Sequence, residues 1–270
     1  MKSDLVSIII PTLNESKNIE KCLLSCQKQS YKNIEIIVID NFSKDNTLQI
    51  AKVYTNKYFL SGKERSSQRN FGAQKAKGEY LLFLDADMQL TKNCLSVAID
   101  NVKKENTIIA FPETPIGKNY WEKSIALERS LYQKEKVLSG ARLFPKNLFI
   151  NLKGYDETLF AGEDWDITIR AQNAKFKLII AKVPIIHTEN VKSLNELLKK
   201  KAYYSKNISL YAKKHPLEFS RQSSFQKRLG IYLKYFPKLL ANPLHTFGFI
   251  FIKFLVWYNW QNFRNAKNNS

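Results

Sequence analysis

Two acidic clusters and a histidine are the side chains in this sequence best suited to chemistry. Asp85-Ala86-Asp87 sets two carboxylates at i and i+2, and on an extended chain such a pair faces one way and can approach one cation. Oxygen ligation favours Mg2+ or Mn2+, and an ion of that kind against a diphosphate would stabilise the negative charge that builds on a leaving nucleotide. Glu163-Asp164-Trp165-Asp166 is the second cluster. Its carboxylates either favour the N-terminus of a helix over 164–174 through the helix dipole or supply a base. His187 follows a strand-like run and is either an ordinary packed residue or a ligand. Arg65 and Arg69 precede the Asp pair and suit phosphates, although a charged helix face would look the same.

These residues need a scaffold, and the chain supplies an alternating one. Short apolar, β-branched runs predict strands over 6–10, 35–39, 80–84, 108–111 and 178–181. Helical spacing between them predicts helices over 17–29, 45–54 and 66–77, with Ile19, Cys22, Leu23 and Cys26 on one face of the first. This order predicts an α/β domain, a mainly parallel Rossmann-like sheet flanked by helices, over residues 1–190. In such sheets ligands bind beyond the carboxyl ends of the strands. Three of those ends carry polar clusters: Thr12, Asn14 and Glu15; Asp40 and Asn41; Asp85 and Asp87. Their convergence on one sheet edge points to a polar pocket that tolerates a metal.

The motifs together resemble family 2 glycosyltransferases of the GT-A fold. The resemblance runs through Val6-Ser7-Ile8-Ile9-Ile10-Pro11-Thr12-Leu13-Asn14-Glu15, then from Ile37-Val38-Ile39-Asp40-Asn41 to Thr47, then Arg69-Asn70-Phe71-Gly72 and Leu84-Asp85-Ala86-Asp87. It continues through Gly154-Tyr155-Asp156-Glu157 and Gly162-Glu163-Asp164-Trp165-Asp166 to His187. It implies inverting transfer of a sugar from a nucleotide-diphosphate sugar to an acceptor hydroxyl. Pro11, Thr12, Asn14, Glu15, Asp40, Asn41 and Arg69 would then line the nucleotide site, with Asp40 near the base. The Asp85-Ala86-Asp87 tripeptide would meet the metal and the donor's diphosphate and ribose, and His187 would be a further metal or diphosphate contact. Asp164 would be the general base, since an alcohol is a poor nucleophile until a carboxylate takes its proton. Glu163 is the nearest rival for that role. Ser139-Gly140-Ala141-Arg142 would lie near donor sugar and acceptor; Gly140 either lets backbone approach a ligand or marks a bend.

Composition bounds the rest. A chain of 270 residues, 44% hydrophobic, has enough apolar sequence for a large core, which excludes wholesale disorder. Its net charge of +19 calls for an anionic partner. The excess concentrates in residues 187–270, with fifteen basic and three acidic side chains. The cysteines, Cys22, Cys26 and Cys94, have no zinc spacing and read as reduced core thiols. The run 5–10 is too short for a secretory leader, so the expected place is the cytoplasm.

Residues 191–270 predict a helical extension, amphipathic over 193–214 and then basic and aromatic. The apolar run 247–260 falls short of the ~20 residues of a membrane span. Mixed with Arg228, Lys234 and Lys238, this tail suits an anionic membrane surface at the inner face of the cell membrane, with the acceptor a lipid-linked or envelope glycan. Packing as a helical subdomain is the alternative, and so continuous an apolar stretch speaks against nucleic acid. Tyr120 and Trp121, within a helical stretch over 118–136, would stack on sugar or lipid or simply pack in a core.

Two other functions compete. A sugar nucleotidyltransferase would normally show a glycine-rich phosphate loop after the first strand, and Pro11-Thr12-Leu13-Asn14-Glu15 has no glycine. A non-catalytic membrane scaffold with a transferase fold would have no need of Asp85, Asp87 and Asp164.

Overall fold

The computed structural model describes residues 4–104, 106–133 and 135–268. Side chains are described as far as Gln261, Trp260 excepted, so the Lys- and Asn-rich end of the tail lies outside them. The chain runs β1 (Val6–Thr12), α1 (Ile19–Gln27), β2 (Ile34–Asp40), α2 (Thr47–Tyr54), β3 (Tyr58–Leu60), α3 (Arg65–Lys75), β4 (Tyr80–Phe83) and β5 (Met88–Leu90). It continues with α4 (Cys94–Val102), β6 (Thr107–Ala110), β7 (Glu113–Ile116), α5 (Tyr120–Ser130), β8 (Leu143–Pro145), α6 (Lys146–Asn151), α7 (Glu163–Asn173), β9 (Lys177–Ile180) and β10 (Ile185–Thr188). Helices α8 (Leu194–Lys214), α9 (Pro216–Ser223), α10 (Phe225–Lys234), α11 (Phe236–Leu240) and α12 (Pro243–Asn268) complete it.

The chain divides into two compact units, residues 1–113 with 134–187 and residues 114–133 with 188–270. The expected boundary near 190 differs in one respect: the segment carrying α5 groups with the tail.

The first unit is built on a seven-stranded sheet ordered β3-β2-β1-β4-β8-β6-β9. Strands β1, β2, β3 and β4 are mutually parallel, as are β6 and β9, while β8 runs antiparallel between β4 and β6. The continuous apolar runs follow from burial on both faces. On β1, Ile8 and Ile10 pack against α1 and α4 with Leu23 and Leu95, while Ile9 packs the other way with Ala73 of α3 and Ile167 of α7. One layer of helices covers each face, and the parallel strands open their carboxyl ends on one edge. All three cysteines are free and buried, and burial pushes the Cys94 thiol up to about 12, which leaves it inert as a ligand or nucleophile.

In the second unit α5 and α12 pack through two apolar clusters, Ile125 with Leu197 and Ile252, and Leu127 with Leu131 and Phe249. Trp121 packs against the first of these and stacks on Phe251 at 6.4 Å, and the Tyr120 hydroxyl donates to Leu244 O at 3.0 Å. Of the two readings of these aromatics, core packing describes what they do here. Among the described residues no helix is long and apolar enough to cross a membrane.

Candidate active site

The loops after β1 and β2 are stitched together. Asn14 turns the chain with φ +54°, its N–H donates to Ser43 Oγ at 2.8 Å, and its Oδ1 accepts from Lys44 N at 2.8 Å. Asn41 N donates to Thr12 O at 2.9 Å, and Glu15 N to Thr47 Oγ1 at 2.7 Å. Asp40, almost wholly buried, accepts from Ser43 N and Ser43 Oγ at 2.8 and 2.5 Å, so its carboxylate holds this turn. Glu15 Oε2 accepts from Asn18 Nδ2 at 2.8 Å, and Pro11 is buried in β1. Thr12 Oγ1 is buried with no partner among the described residues. Asp45 latches both loops: burial opposes its ionisation, yet hydroxyl and amide donors of Thr47 and Ser16 pull its carboxyl down to about 2.

Helix α3 carries the next part. Gly72 faces β1 so closely that a Cβ there would lie 2.5 Å from Ile9 Cγ2, and one turn earlier Gln68 donates to Thr12 O and Ile39 O at 3.0 and 2.7 Å. That approach seats Arg69, fully buried, beneath the carboxyl ends of the strands. Asn70 clamps the loop after α6, donating to Tyr155 O at 2.9 Å and accepting from Tyr155 N at 2.8 Å. The Tyr155 ring thereby lies 5.1 Å from the Arg69 guanidinium.

Arg69 gathers three carboxylates: Asp85 Oδ1 at 2.6 Å, Asp164 Oδ1 at 3.1 Å and Glu163 Oε1 at 3.4 Å. Arg142 takes the other oxygen of Asp85 at 3.2 Å and reaches Glu113 Oε1 at 3.2 Å. Glu113 Oε2 lies 2.8 Å from His187 Nδ1, and His187 Nε2 lies 3.5 Å from Asp87 Oδ2. A continuous chain of polar contacts thus runs from Asp164 through Arg69, Asp85, Arg142, Glu113 and His187 to Asp87. Burial disfavours the Asp85 anion, but the Arg69 and Arg142 guanidiniums outweigh it and hold the carboxyl well below the usual range. Glu163 goes the other way: burial first, then the Asp164 charge, raise it.

Asp164 and Glu163 sit in the first turn of α7, entered through Gly162 at φ +82°. Their difference is exposure. The Asp164 side chain is 28% exposed and that of Glu163 8%. Asp164 Oδ1 is held by Arg69, and Oδ2 takes no hydrogen bond from the described residues. Asp166 is fully buried and paired with Arg170 at 2.7 Å, a structural role that removes it from the chemistry. Gly140 backs Asp164: a Cβ there would stand 2.8 Å from Asp164 Cβ. Gly140→Ala is therefore expected to displace the Asp164 carboxylate and lower kcat by up to about 10²-fold, since small misplacements cost that much. Steady-state kinetics check it, and an unchanged kcat would show that the carboxylate's position has slack.

The local geometry at the Asp85–Asp87 pair differs from the expected one. Residues 85–88 are not extended: Met88 N donates to Asp85 O at 2.9 Å in a tight turn, so the i, i+2 argument for a shared cation fails. Asp85 is moreover engaged at both oxygens by guanidiniums, and among the described residues no three His, Cys, Asp or Glu side chains are grouped to hold a metal. What fits a divalent cation is the pair Asp87 and His187. With Nδ1–H donated to the Glu113 carboxylate, a neutral imidazole turns its Nε2 lone pair toward Asp87 Oδ2, two donors facing one another. The site is also anionic: Asp85, Asp87, Glu113, Glu163 and Asp164 outnumber Arg65, Arg69 and Arg142. Glu113, absent from the motif reading, is the main residue it missed; the only sequence signal is its place after Phe111-Pro112, just past a strand.

The glycosyl transferase family 2 profile matches residues 7–159, more than half of the chain, which takes in the loops after β1, β2 and β4 and stops short of Glu163, Asp164 and His187. The chain belongs to glycosyl transferase family 2. As a family 2 glycosyltransferase it is 30% identical to an uncharacterized glycosyltransferase of Rickettsia typhi over 75% of this chain and 71% of that protein. It is 28% identical to the GalNAc(5)-diNAcBac-PP-undecaprenol beta-1,3-glucosyltransferase of Campylobacter jejuni over 58% of this chain and 57% of that one. Among solved structures, the S. aureus TarS fragment 1–349 in complex with UDP superposes with a TM-score of 0.55 at 18% identity, covering 95% of this chain and 91% of that one. That likeness shows the GT-A fold. The enzyme is therefore a glycosyltransferase, and glycosyl transfer replaces nucleotidyl transfer among the readings above.

Proposed function

We propose that this enzyme transfers a sugar, with inversion, from a nucleotide-diphosphate sugar to a hydroxyl of a glycan or lipid-linked acceptor, with a divalent cation, at the inner face of the cell membrane. The observation that carries the reading is Asp164: a partly exposed carboxylate in the first turn of α7, pinned by Arg69 through Oδ1, whose Oδ2 takes no hydrogen bond from the described residues. Pinning sets its direction, and the open oxygen accepts the acceptor's proton as the new C–O bond forms. Glu163 stays behind it, too buried to meet an acceptor. The stitched loops after β1 and β2 offer Thr12 Oγ1, Asn14 and Asn41 to the nucleotide; Asp40 and Glu15 shape those loops. Asp87 and His187, oriented by Glu113, would hold Mg2+ or Mn2+, whose charge would offset that of the departing diphosphate. Arg69, Asp85 and Arg142 fix the spacing between the base and this metal pair.

Support for a nucleotide-diphosphate donor comes from family membership and from the UDP held by TarS. Support for a lipid-linked acceptor comes from the name of the Campylobacter relative. Screening nucleotide sugars for hydrolysis with Mn2+ and Mg2+ tests the donor class, and a chain that cleaves none of them contradicts it. Asp87→Ala is expected to weaken UDP binding in Mn2+ by at least tenfold, read by calorimetry, while UDP binding in EDTA stays as in wild type. Equal affinities in Mn2+ would remove the metal from Asp87.

A further inference from the structure

The last three helices carry an apolar face that the second unit leaves uncovered. On α12 one side is satisfied internally: Phe249 and Ile252 are buried, and Lys253 pairs with Glu128 at 2.6 Å. A second stripe, Leu244, Phe247, Phe251, Phe254 and Tyr258, recurs at intervals of three and four along the same helix. Phe247 is 66% exposed and Phe254 54%, beside Trp257 at 54%. On the ~1.5 Å rise of a helix this stripe is roughly 20 Å long. Phe225 and Leu233 of α10 and Leu240 of α11 are exposed as well, by 77%, 65% and 62%. A set of this size on so short a segment marks a contact surface rather than scattered surface residues.

Charge decides what the contact is. After Glu218 the chain has no acidic side chain and eight Lys or Arg. A second copy laid on this face would bring two segments rich in Lys and Arg and without acidic residues together, whereas an anionic bilayer offers both an apolar depth and the complementary charge. The described part of α12 is no membrane span, and its exposed Trp257 and Tyr258 are of the type that settles at headgroup level.

We propose that α10, α11 and α12 form a lipid-docking face, with α12 lying in the plane of an anionic bilayer, its Leu244–Tyr258 stripe at the acyl boundary and Lys227, Lys234 and Lys238 among the headgroups. The inference deepens, and rests on, the membrane part of the function proposed above. It specifies peripheral binding that needs both apolar insertion and anionic lipid.

The test is sedimentation of the full chain with vesicles of phosphatidylcholine containing 30% phosphatidylglycerol, against phosphatidylcholine alone. Wild type is expected to bind the anionic vesicles at least tenfold more tightly, and the double variant F247E/F254E to lose at least tenfold of that affinity. Both positions are exposed, and circular dichroism with UDP calorimetry in Mn2+ checks that the variant is folded and that its nucleotide site is intact. A second variant, K234E/K238E, is expected to lose the preference for phosphatidylglycerol. Wild-type chain left in the supernatant, equal binding to both vesicle types, or F247E/F254E bound like wild type would each overturn the proposal. So would a wild-type dimer that F247E/F254E splits without loss of vesicle binding, because the occupant would then be a second copy. UDP binding is read separately, so a failed transferase reading and a failed docking face give different results.

Discussion

Asp164→Asn is expected to lower kcat by roughly 10²- to 10⁴-fold, the range that one positioned general base supplies, with donor affinity changed less than about twofold. The substitution is nearly isosteric. The amide oxygen can still accept from Arg69 Nη1 in place of Asp164 Oδ1, now 3.1 Å away, so the first turn of α7 keeps its geometry. What is lost is the second oxygen as a proton acceptor. Glu163→Gln is the matched control: that side chain is 8% exposed and shares Oε1 between Arg65 and Arg69, and its loss is expected to cost less than tenfold. Steady-state kinetics on any donor found by screening, with UDP calorimetry alongside, separates the two residues. A kcat for Asp164→Asn within tenfold of wild type, or a larger loss from Glu163→Gln, would transfer the base elsewhere.

The sequence made these carboxylates visible because motif and position agree, yet it did not show what each one faces. Strands β1, β2, β4 and β6 were legible as apolar runs, since burial on both faces leaves little room for polar residues, and the edge strand β9 through its run Leu178–Ile180. Strand β3, Tyr58–Leu60, has an exposed, half-buried, exposed pattern at the sheet edge and carries no such signal. Strand β8 is three residues long and antiparallel between β4 and β6. Its place depends on partners far along the chain, which local periodicity cannot report. The same limit applies to the site. Asp85 reads as a cation ligand from its spacing, but Arg69 and Arg142 reach it from α3 and from the segment before β8. Glu113 belongs to no motif and acquires its role through His187, 74 residues away. In the tail the apolar content was legible, whereas its division into a covered and an uncovered side of α12 required the packing of α5 against that helix.

Arg69→Met is expected to destabilise the first unit by about 3–5 kcal/mol, the cost of removing one partner from a buried ion cluster. Arg69 is fully buried, and each carboxylate it touches is at least 70% shielded, so water cannot replace it well. Methionine fills much of the same space, which confines the loss to charge. Arg69→Lys keeps the charge but not the fork that meets Asp85 and Asp164 together, and is expected to fall between the two. The pH dependence identifies the cause. Asp85 has a folded pKa held below its unfolded value, so its contribution is present above about pH 4 and fades as pH falls toward the folded value. Without Arg69 that contribution shrinks and burial alone penalises the anion. The gap between wild type and Arg69→Met should therefore be widest at neutral pH and narrow progressively below about pH 4, where the unfolded chain binds protons that folded wild-type Asp85 does not. Urea denaturation at pH 7 and at progressively lower pH measures it. A gap that stays constant with pH would mean that Arg69 stabilises the fold through packing against Tyr155 and not through the ions it gathers.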